Sequence, residues 1–189
     1  MKVFDDFTKK DSVTIVYTGD GKGKTTAGLG LMVRALGTGF RVAFIQFIKN
    51  WDVGEHQFIK KIMPLYTDKL DFYKGGLGFF EAGKLSSGDS KEDHLKEARK
   101  TFNFAYRAVT SGEYQLVICD EINNSVHDGL LTMADLEKLI NDKHPKTSLC
   151  LTGRNFPTEL IKKVDIATDM VKLKHHFDDK VLANKGIDY

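Results

Sequence analysis

The sequence predicts a single three-layer α/β domain, in which helices cover both faces of a mostly parallel central sheet. Short apolar and β-branched runs alternate along the chain with longer segments of helical periodicity. This alternation is typical of strand–helix–strand units, whose parallel strands are buried between layers of helices. The 189 residues have the length of one ordinary domain, and no repeat or linker-like segment divides them. We therefore interpret residues 1–189 as one domain.

The first strand and helix are predicted where the sequence changes most sharply. Residues 13–18 are apolar or β-branched and predict a buried strand, which three glycines among residues 19–23 bring to an end. A helix is predicted from Lys24 to Leu36, because two glycines follow it closely. The next predicted elements are a strand at 41–48, a short helix at 54–63 that Pro64 stops, and a strand at 69–73.

A glycine-rich segment separates these elements from a long helix. Residues 75–88 contain five glycines and are predicted to form a mobile loop. Ser90 fits a helix N-cap with Asp93 three residues later, and the helix is predicted to run to about residue 110. Its apolar face is expected to carry Leu95, Phe102, Ala105, Tyr106 and Val109. Further strands are predicted at 115–119, 148–151 and 167–173, and a helix capped by Thr132 at 132–141.

Composition and charge limit the classes of function. A hydrophobic share of 41% and a charged share of 29% are typical of a soluble globular protein, and a net charge of +2 gives no field that favours nucleic acid. Cys119 and Cys150 each lie in an apolar run, so we expect buried thiols rather than a disulfide or a zinc site. Residues 1–10 lack the apolar stretch of a signal peptide, and no segment approaches a membrane helix. We therefore expect a cytoplasmic protein without a membrane or nucleic-acid partner.

The segment between the first strand and the first helix carries the strongest functional signal. It reads Thr18-Gly19-Asp20-Gly21-Lys22-Gly23-Lys24-Thr25-Thr26, in the strand–loop–helix context of a phosphate loop. Glycines let successive backbone N–H groups face an anion, and the helix N-terminus adds positive potential. Lys24 is expected to reach phosphate oxygens, and Thr25 to offer its hydroxyl to Mg²⁺. Thr18 stands where the usual pattern has glycine, but a turn with incidental lysines does not explain why strand, Gly-Lys-Thr and helix occur together.

Two other predicted strands end in charged residues. Asp120 and Glu121 follow the strand that begins near residue 115, and carboxylates at that edge can lie beside the magnesium of a phosphate-loop site. Asp120 is expected to bind the magnesium ion directly or through water. Glu121 would either bind the metal or polarise a water molecule. Arg154 follows the strand near residue 150 and either pairs with phosphate oxygens or lies in solvent.

Taken together, these segments resemble a known enzyme family. The phosphate loop without its first glycine is similar to that of the ATP:corrinoid adenosyltransferases of the cobalamin pathway. The resemblance covers nearly the whole chain, in the order of the family. Its other segments are Gln46-Phe47-Ile48-Lys49, Gly54-Glu55, Asp120-Glu121-Ile122-Asn123, Asp128-Gly129-Leu130, Leu151-Thr152-Gly153-Arg154, Lys174-His175-His176-Phe177-Asp178 and Lys185-Gly186-Ile187-Asp188-Tyr189.

The resemblance implies a RecA-like P-loop fold, usually a homodimer, and a transfer of the 5′-deoxyadenosyl group of ATP to a corrinoid. The cobalt of the corrinoid is first reduced to cobalt(I), and a flavoprotein-type reductase is the expected partner for this reduction. Cobalt then attacks the 5′ carbon of ATP, and the intact triphosphate leaves. The protein's work is positioning, together with stabilisation of the charge that builds on the triphosphate.

The same resemblance assigns roles to individual residues. It makes residues 19–26 the triphosphate cradle, places Thr25 and Glu121 at the magnesium positions, and places Arg154 beside the triphosphate. Lys24, Arg154 and Glu121 are thus the expected catalytic residues. ATP is expected to lie reversed in the loop, which suits reaction at the 5′ carbon.

The corrinoid side of the site departs from the family pattern. The family displaces the lower cobalt ligand with aromatic residues of a Gly-Phe-x-Trp stretch, and the nearest match here is Gly76-Leu77-Gly78-Phe79 followed by Phe80. Leu77, Phe79 and Phe80 are therefore the expected corrinoid-binding residues, although the two phenylalanines could instead anchor a loop. Phe4 and Phe7 are candidates for a lid over a partner's site.

Two other functions fit parts of the sequence. An ATP-hydrolysing switch of the RecA type would use Glu121 as the base that activates water, but no additional module for a track or partner is evident. A non-catalytic corrinoid carrier would use ATP only as a conformational ligand. The six histidines show no metal-ligand pair at helical spacing, and we assign none of them to catalysis.

Overall fold

A six-stranded parallel sheet forms the centre of the protein. The computed structural model describes residues 6–80 and 88–189. Within these ranges the strand order is β3-β2-β4-β5-β1-β6, and every neighbouring pair is parallel. The predicted α/β fold with a parallel sheet is therefore confirmed. The strands are β1 (Thr14–Thr18), β2 (Val42–Gln46), β3 (Leu70–Lys74), β4 (Leu116–Asp120), β5 (Ser148–Thr152) and β6 (Ile166–Asp169).

Helices connect the strands, and two of them begin with the predicted caps. The side chain of Ser90 accepts from the backbone of Asp93, and Thr132 accepts from Asp135, which makes a capping box in each case. Both predicted N-caps are confirmed. The helices are α1 (Lys24–Gly37), α2 (Gly54–Ile62), α3 (Lys91–Ser111), α4 (Ile122–His127) and α5 (Met133–Asn141).

The core is divided by the sheet into two apolar layers. Alternate residues of β2 point to opposite faces, so that Ile45 packs with α3 and α5, whereas Phe44 packs with α1 and α2. Cys119 belongs to the first layer and Cys150 to the second, and both thiols are free and buried. The prediction of buried thiols is therefore confirmed. The two cysteines belong to layers that the sheet separates.

The carboxyl ends of three central strands bring the charged segments together. The phosphate loop follows β1, Asp120 and Glu121 lie at the end of β4, and Gly153 and Arg154 follow β5, which pairs with both. Ligands of parallel sheets bind at such an edge, where loops and helix N-termini converge. The fold therefore positions the loop, the carboxylates and the arginine around one crevice.

The structure differs from the prediction mainly at the ends of elements. β2 ends at Gln46 rather than at residue 48, and β6 covers 166–169 rather than 167–173. The helix α4 was not predicted, because it starts from Glu121 in a left-handed conformation without a side-chain cap. Leu95 was placed on the apolar face of α3, but it is 37% exposed, so this assignment was wrong. Phe4 and the 81–87 part of the glycine-rich loop lie outside the described residues.

No helix in the described part of the chain is both long and apolar enough to cross a bilayer.

Candidate active site

The phosphate loop is shaped by glycines that adopt conformations other residues avoid. Gly19 has φ 95° and Gly23, which immediately precedes α1, has φ 114°. A Cβ atom on Gly19 would lie 2.7 Å from the carbonyl oxygen of Met170, so the loop packs directly on the segment after β6. Gly21 N also donates to that oxygen at 2.6 Å. The sheet edge thus holds the loop in place and directs it toward the N-terminus of α1.

The side chain of Lys24 lies across this loop. Its Nζ donates to the carbonyl oxygens of Gly19 and Gly21, both at 2.6 Å. Partial burial, and then the nearby charge of Arg154, lower the pKa of Lys24. The ammonium group is therefore kept at the loop, where the N-terminus of α1 also attracts an anion.

A buried carboxylate organises the neighbouring residues. Asp120 is fully buried and accepts hydrogen bonds from Thr25 Oγ1 at 3.2 Å and from Thr152 Oγ1 at 2.7 Å. Thr152 Oγ1 in turn accepts from the backbone N–H of Glu121 at 3.0 Å. Asp120 thereby links the phosphate loop, the end of β4 and the end of β5.

Glu121 has the features of a ligand that awaits a cation. Its backbone is left-handed with φ 63°, and its Oε2 atom is enclosed without a hydrogen-bond partner. Burial, and then the charge of Asp120, raise the pKa of Glu121 to about 7. An unpaired buried oxygen beside a second carboxylate is a costly arrangement that a cation would relieve.

The oxygen atoms of this cluster fit Mg²⁺. Thr25, Asp120 and Glu121 offer a hydroxyl and two carboxylates, which are ligands that Mg²⁺ prefers. Among the described residues, no group of three or more His, Cys, Asp or Glu side chains could hold a metal by itself. Phosphate oxygens and water would therefore have to complete the coordination, as is usual for Mg²⁺ at nucleotide sites.

The remaining predicted ATP-binding residues lie at the mouth of the loop. Arg154 is exposed, and its Nε lies 4.0 Å from the Asp20 carboxylate. Its backbone N–H donates to Asn124 Oδ1 at 2.8 Å, which fixes the start of the loop after β5. Lys22 forms an ion pair with Asp188 at 2.7 Å, so the segment near residue 188 lies against the phosphate loop. Thr26 is exposed at the first turn of α1.

A cleft of about 520 Å³ extends from the phosphate loop to an aromatic pair. Lys24 and Thr25 line one part of it, and Trp51 and Phe79 line another, with their ring centres 4.9 Å apart. Phe79, one of the three residues predicted to bind the corrinoid, thus lies in the same cleft as the phosphate loop. Phe80 instead packs against the core and contacts the ring of His94 at 5.3 Å.

The loop that carries Phe79 is fastened to the loop that carries Trp51. Gly78 N donates to Ile48 O at 2.8 Å, and Asn50 Nδ2 donates to Leu77 O at 2.7 Å. Leu77 is half-buried and is not part of the cleft lining. The sequence interpretation therefore missed Trp51, and of the three residues predicted to contact the corrinoid only Phe79 reaches the cleft.

Other polar residues of the site were also not singled out as functional. Gln46 Nε2 donates to Asp120 at 3.1 Å, and Lys49 pairs with Glu55 at 2.9 Å while lining the cleft. Thr152 is the last residue of an apolar strand run, which is a signal that could have identified it, whereas Phe47 and Ile48 continue the apolar run beyond Gln46. The partners of Gln46 and Thr152 could not be identified in this way, because the contacts depend on the strand order.

The parallel sheet, the glycine-rich loop before α1 and the carboxylates at the end of β4 define a P-loop nucleotide-binding protein. Comparison with known proteins gives a narrower assignment. The sequence model described as "ATP:corrinoid adenosyltransferase BtuR/CobO/CobP" matches residues 10–189, and the chain belongs to this family. It is accordingly an enzyme, a transferase that acts on ATP and a corrinoid.

Bacterial relatives named as corrinoid adenosyltransferases support the assignment over nearly the full length of the chain. A corrinoid adenosyltransferase of Sinorhizobium sp is 32% identical over 184 residues, which cover 96% of this chain and 82% of the relative. The corrinoid adenosyltransferase of Escherichia coli K12 is 29% identical, with coverage of 94% and 85%. Corrinoid adenosyltransferase CobA of Salmonella typhimurium is 28% identical, with the same coverage.

Proposed function

We propose that residues 19–26 hold the triphosphate of ATP while cobalt(I) of a corrinoid attacks the 5′ carbon from the aromatic part of the same cleft. A cobalt–carbon bond forms, the bond between the 5′ carbon and its oxygen breaks, and triphosphate leaves with that electron pair. The observation that carries this proposal is the continuous cleft, which Lys24 and Thr25 line together with Trp51 and Phe79. One cleft can thus bind a polyanion next to a flat, largely apolar ring.

The phosphate loop would stabilise the leaving triphosphate. Its backbone N–H groups, the N-terminus of α1 and the ammonium group of Lys24 would meet the negative charge as it develops. Lys24 would exchange its two carbonyl partners in the loop for phosphate oxygens. Arg154, exposed at the mouth, would contribute two parallel hydrogen bonds to a phosphate group. Lys22 would reach phosphate by sharing or leaving its pair with Asp188.

Thr25, Glu121 and Asp120 would hold Mg²⁺ together with phosphate oxygens. Support comes from the enclosed, unpaired oxygen of Glu121 and from the hydrogen bond between Thr25 and Asp120. When bound, Mg²⁺ would neutralise part of the charge on the triphosphate.

Phe79 and Trp51 would contact the corrinoid. Their rings offer the apolar surface that excludes water and polar ligands from one face of a macrocycle. Phe80 would act differently, by anchoring the loop to the core, and Leu77 would fix its course through the bond between its carbonyl and Asn50.

We also infer a homodimer in the cytoplasm, whose corrinoid is reduced by a flavoprotein-type reductase. The edge strand β6 is exposed along its length, and Val171, Leu173 and Phe177 after it are exposed apolar residues, which supports association through this side. The free thiols of Cys119 and Cys150 are compatible with a reducing compartment.

The Lys24→Ala variant tests the nucleotide half of this proposal. We expect it to lose about 2–4 kcal/mol of transition-state stabilisation, the amount typical of one contact to a developing anion. The measurement is the rate of adenosylcorrinoid formation, followed by absorbance with chemically reduced corrinoid, ATP and Mg²⁺. Lys61→Ala, which removes an exposed lysine on α2, is the matched control. Full activity of Lys24→Ala would show that the loop has been assigned wrongly.

A further inference from the structure

Three buried polar side chains form a chain that ends at the proposed magnesium site. His56 lies in the first turn of α2, and its Nε2 is hydrogen bonded to Gln46 Oε1. Gln46, at the end of β2, donates from Nε2 to Asp120 Oδ2 at 3.1 Å. The exposed fractions of His56, Gln46 and Asp120 are 0%, 1% and 0%. Water therefore cannot replace these hydrogen bonds without a rearrangement of the core.

The directions of the hydrogen bonds in this chain are determined by its last member. The carboxylate of Asp120 can only accept, so the amide nitrogen of Gln46 must face it. The amide oxygen of Gln46 then faces His56, and because it also only accepts, the proton must be on Nε2 of His56. If the side-chain amide of Gln46 were flipped, its oxygen would face the carboxylate of Asp120. Two acceptors would then meet, and a buried polar group would be left unpaired.

We propose that His56 is a positioning residue for the nucleotide site, which acts through Gln46 to hold Asp120 in the orientation that receives the hydroxyl of Thr25. The inference rests on the proposed roles of Thr25 and Asp120 in binding ATP with Mg²⁺. It adds a residue of α2, outside the phosphate loop, to the groups that determine how this site binds the metal.

The surroundings of His56 suit a fixed, neutral donor. Its ring lies 5.5 Å from the ring of Phe72, and its backbone N–H donates to Val53 O at 3.0 Å. Burial, and then the charge of Lys74, lower the pKa of His56. The nearest acid, Asp52, lies 3.6 Å from Nδ1, beyond hydrogen-bond distance, so it does not compete for the proton on Nε2.

Removal of the His56 imidazole should therefore make the position of the Asp120 carboxylate less well defined. In His56→Leu the amide oxygen of Gln46 loses its buried partner, and the amide can turn toward any other donor. Asp120 would then keep Thr25 and Thr152 but lose one of the two hydrogen bonds that its Oδ2 atom accepts. Partners that orient metal ligands in this way typically change metal affinity by about 10- to 100-fold.

The experiment measures ATP binding by calorimetry without corrinoid, at a series of Mg²⁺ concentrations. We expect His56→Leu and Gln46→Met each to raise the Mg²⁺ concentration for half-maximal ATP binding by about tenfold or more. The double variant should be no worse than either single variant, because both changes break the same chain. His56→Gln keeps an N–H near the position of Nε2 and should stay within about threefold of wild type. Ile59→Val, at a buried apolar residue of the same helix, is the control for loss of packing alone.

Wild-type Mg²⁺ dependence in His56→Leu would overturn the inference, and so would a double variant whose effect is the product of the two single effects. Equal defects in His56→Gln and His56→Leu would also overturn it, since they would indicate packing rather than hydrogen bonding. If His56→Leu does not fold, Gln46→Met tests the same chain from its other member, and a wild-type response there is the contradictory result. Adenosyl transfer is assayed separately, so a failure of the proposed function leaves this binding comparison intact.

Discussion

Trp51 and Phe79 form an aromatic surface in a cleft whose other part is built for a polyanion. Trp51 comes from the loop after β2 and Phe79 from the loop after β3, and hydrogen bonds between the two loops hold the rings 4.9 Å apart. Aromatic faces bind flat apolar groups with little loss of side-chain entropy. Under the proposed function, the two substrates would be recognised by different side chains, which can be changed independently.

We predict that Trp51→Leu and Phe79→Leu weaken corrinoid binding and leave ATP binding unchanged. Each change keeps an apolar side chain but removes a ring that would contact the macrocycle, so KM for the corrinoid should rise about tenfold, in line with the 1–3 kcal/mol of one stacking contact. The measurement pairs steady-state kinetics over corrinoid concentration with ATP calorimetry. Phe58→Leu is the comparison variant, because Phe58 lines the same cleft but belongs to α2. An unchanged corrinoid KM in both variants would contradict this role for the pair.

Sequence alone identified the residues of the site that are close together along the chain. The phosphate loop, Lys24 and Thr25 were predictable because glycines, lysine and hydroxyl occur in one short segment between a strand and a helix. Asp120 and Glu121 were predictable as strand-end carboxylates. The hydrogen bond between Thr152 and Asp120 was not, because it requires β5 to lie beside β4. Trp51 was missed for the same reason, since its partner Phe79 belongs to another loop.

At the scale of elements, local capping chemistry determined where α3 and α5 begin. Ser90 and Thr132 were identified as N-caps because a carboxylate follows three residues later, and both form capping boxes. α4 has no such signal, because Glu121 precedes it with φ 63° and without a side-chain cap. This helix, which the sequence did not predict, therefore begins directly after a residue of the candidate site.

We predict that Asp135→Asn destabilises the protein by about 1–2 kcal/mol at neutral pH, because it weakens both a capping box and an ion pair. Asp135 accepts from Thr132 N at 2.8 Å and pairs with Arg99, whose Nη2 lies 3.0 Å away. The measurement is the free energy of unfolding in urea. Glu137 is in the same helix, and its carboxylate, which pairs with Lys163, is more exposed than that of Asp135. Glu137→Gln should therefore cost about 0.5 kcal/mol or less. Equal stability of the two variants would contradict the prediction.

The same carboxylate predicts a dependence on pH. The pKa of Asp135 is lowered from 3.8 although burial opposes this, because hydrogen bonds from Arg99 and Thr132 outweigh the effect of burial. A lowered pKa in the folded state stabilises the protein above the pKa of the unfolded chain, and this contribution is lost as the pH falls through the lower, folded value. The difference in stability between wild type and Asp135→Asn should therefore be constant above about pH 5 and should shrink below pH 4.

At the scale of the whole molecule, one sheet connects both parts of the site. β1 carries the phosphate loop, β2 and β3 carry the aromatic loops, and β4 lies between β2 and β5. A shift in the register of any central strand would therefore separate the nucleotide side from the corrinoid side. The parallel sheet was predictable from alternating patterns, whereas the order of its strands was not, because buried apolar runs pair equally well with several neighbours.

We predict that the protein unfolds in a single cooperative transition, which ATP with Mg²⁺ moves to higher denaturant concentration. All six strands belong to one sheet, so we expect the described core to unfold as one unit. At an ATP concentration of 100 times Kd, the stabilisation should be about 2.7 kcal/mol. Chemical denaturation followed by both fluorescence and circular dichroism measures it, with Lys24→Ala as the variant that should be stabilised less by the same ATP concentration. Two separate transitions would contradict a single domain.

The central claim is that ATP is cleaved at its 5′ carbon, in a site where the phosphate loop holds the leaving group. The most direct measurement identifies the phosphorus products by ³¹P NMR after incubation of the protein with ATP, Mg²⁺ and chemically reduced corrinoid. We expect intact triphosphate, formed in equal amount with adenosylcorrinoid and absent when corrinoid is omitted. ADP and orthophosphate, formed at the same rate with or without corrinoid, would contradict it.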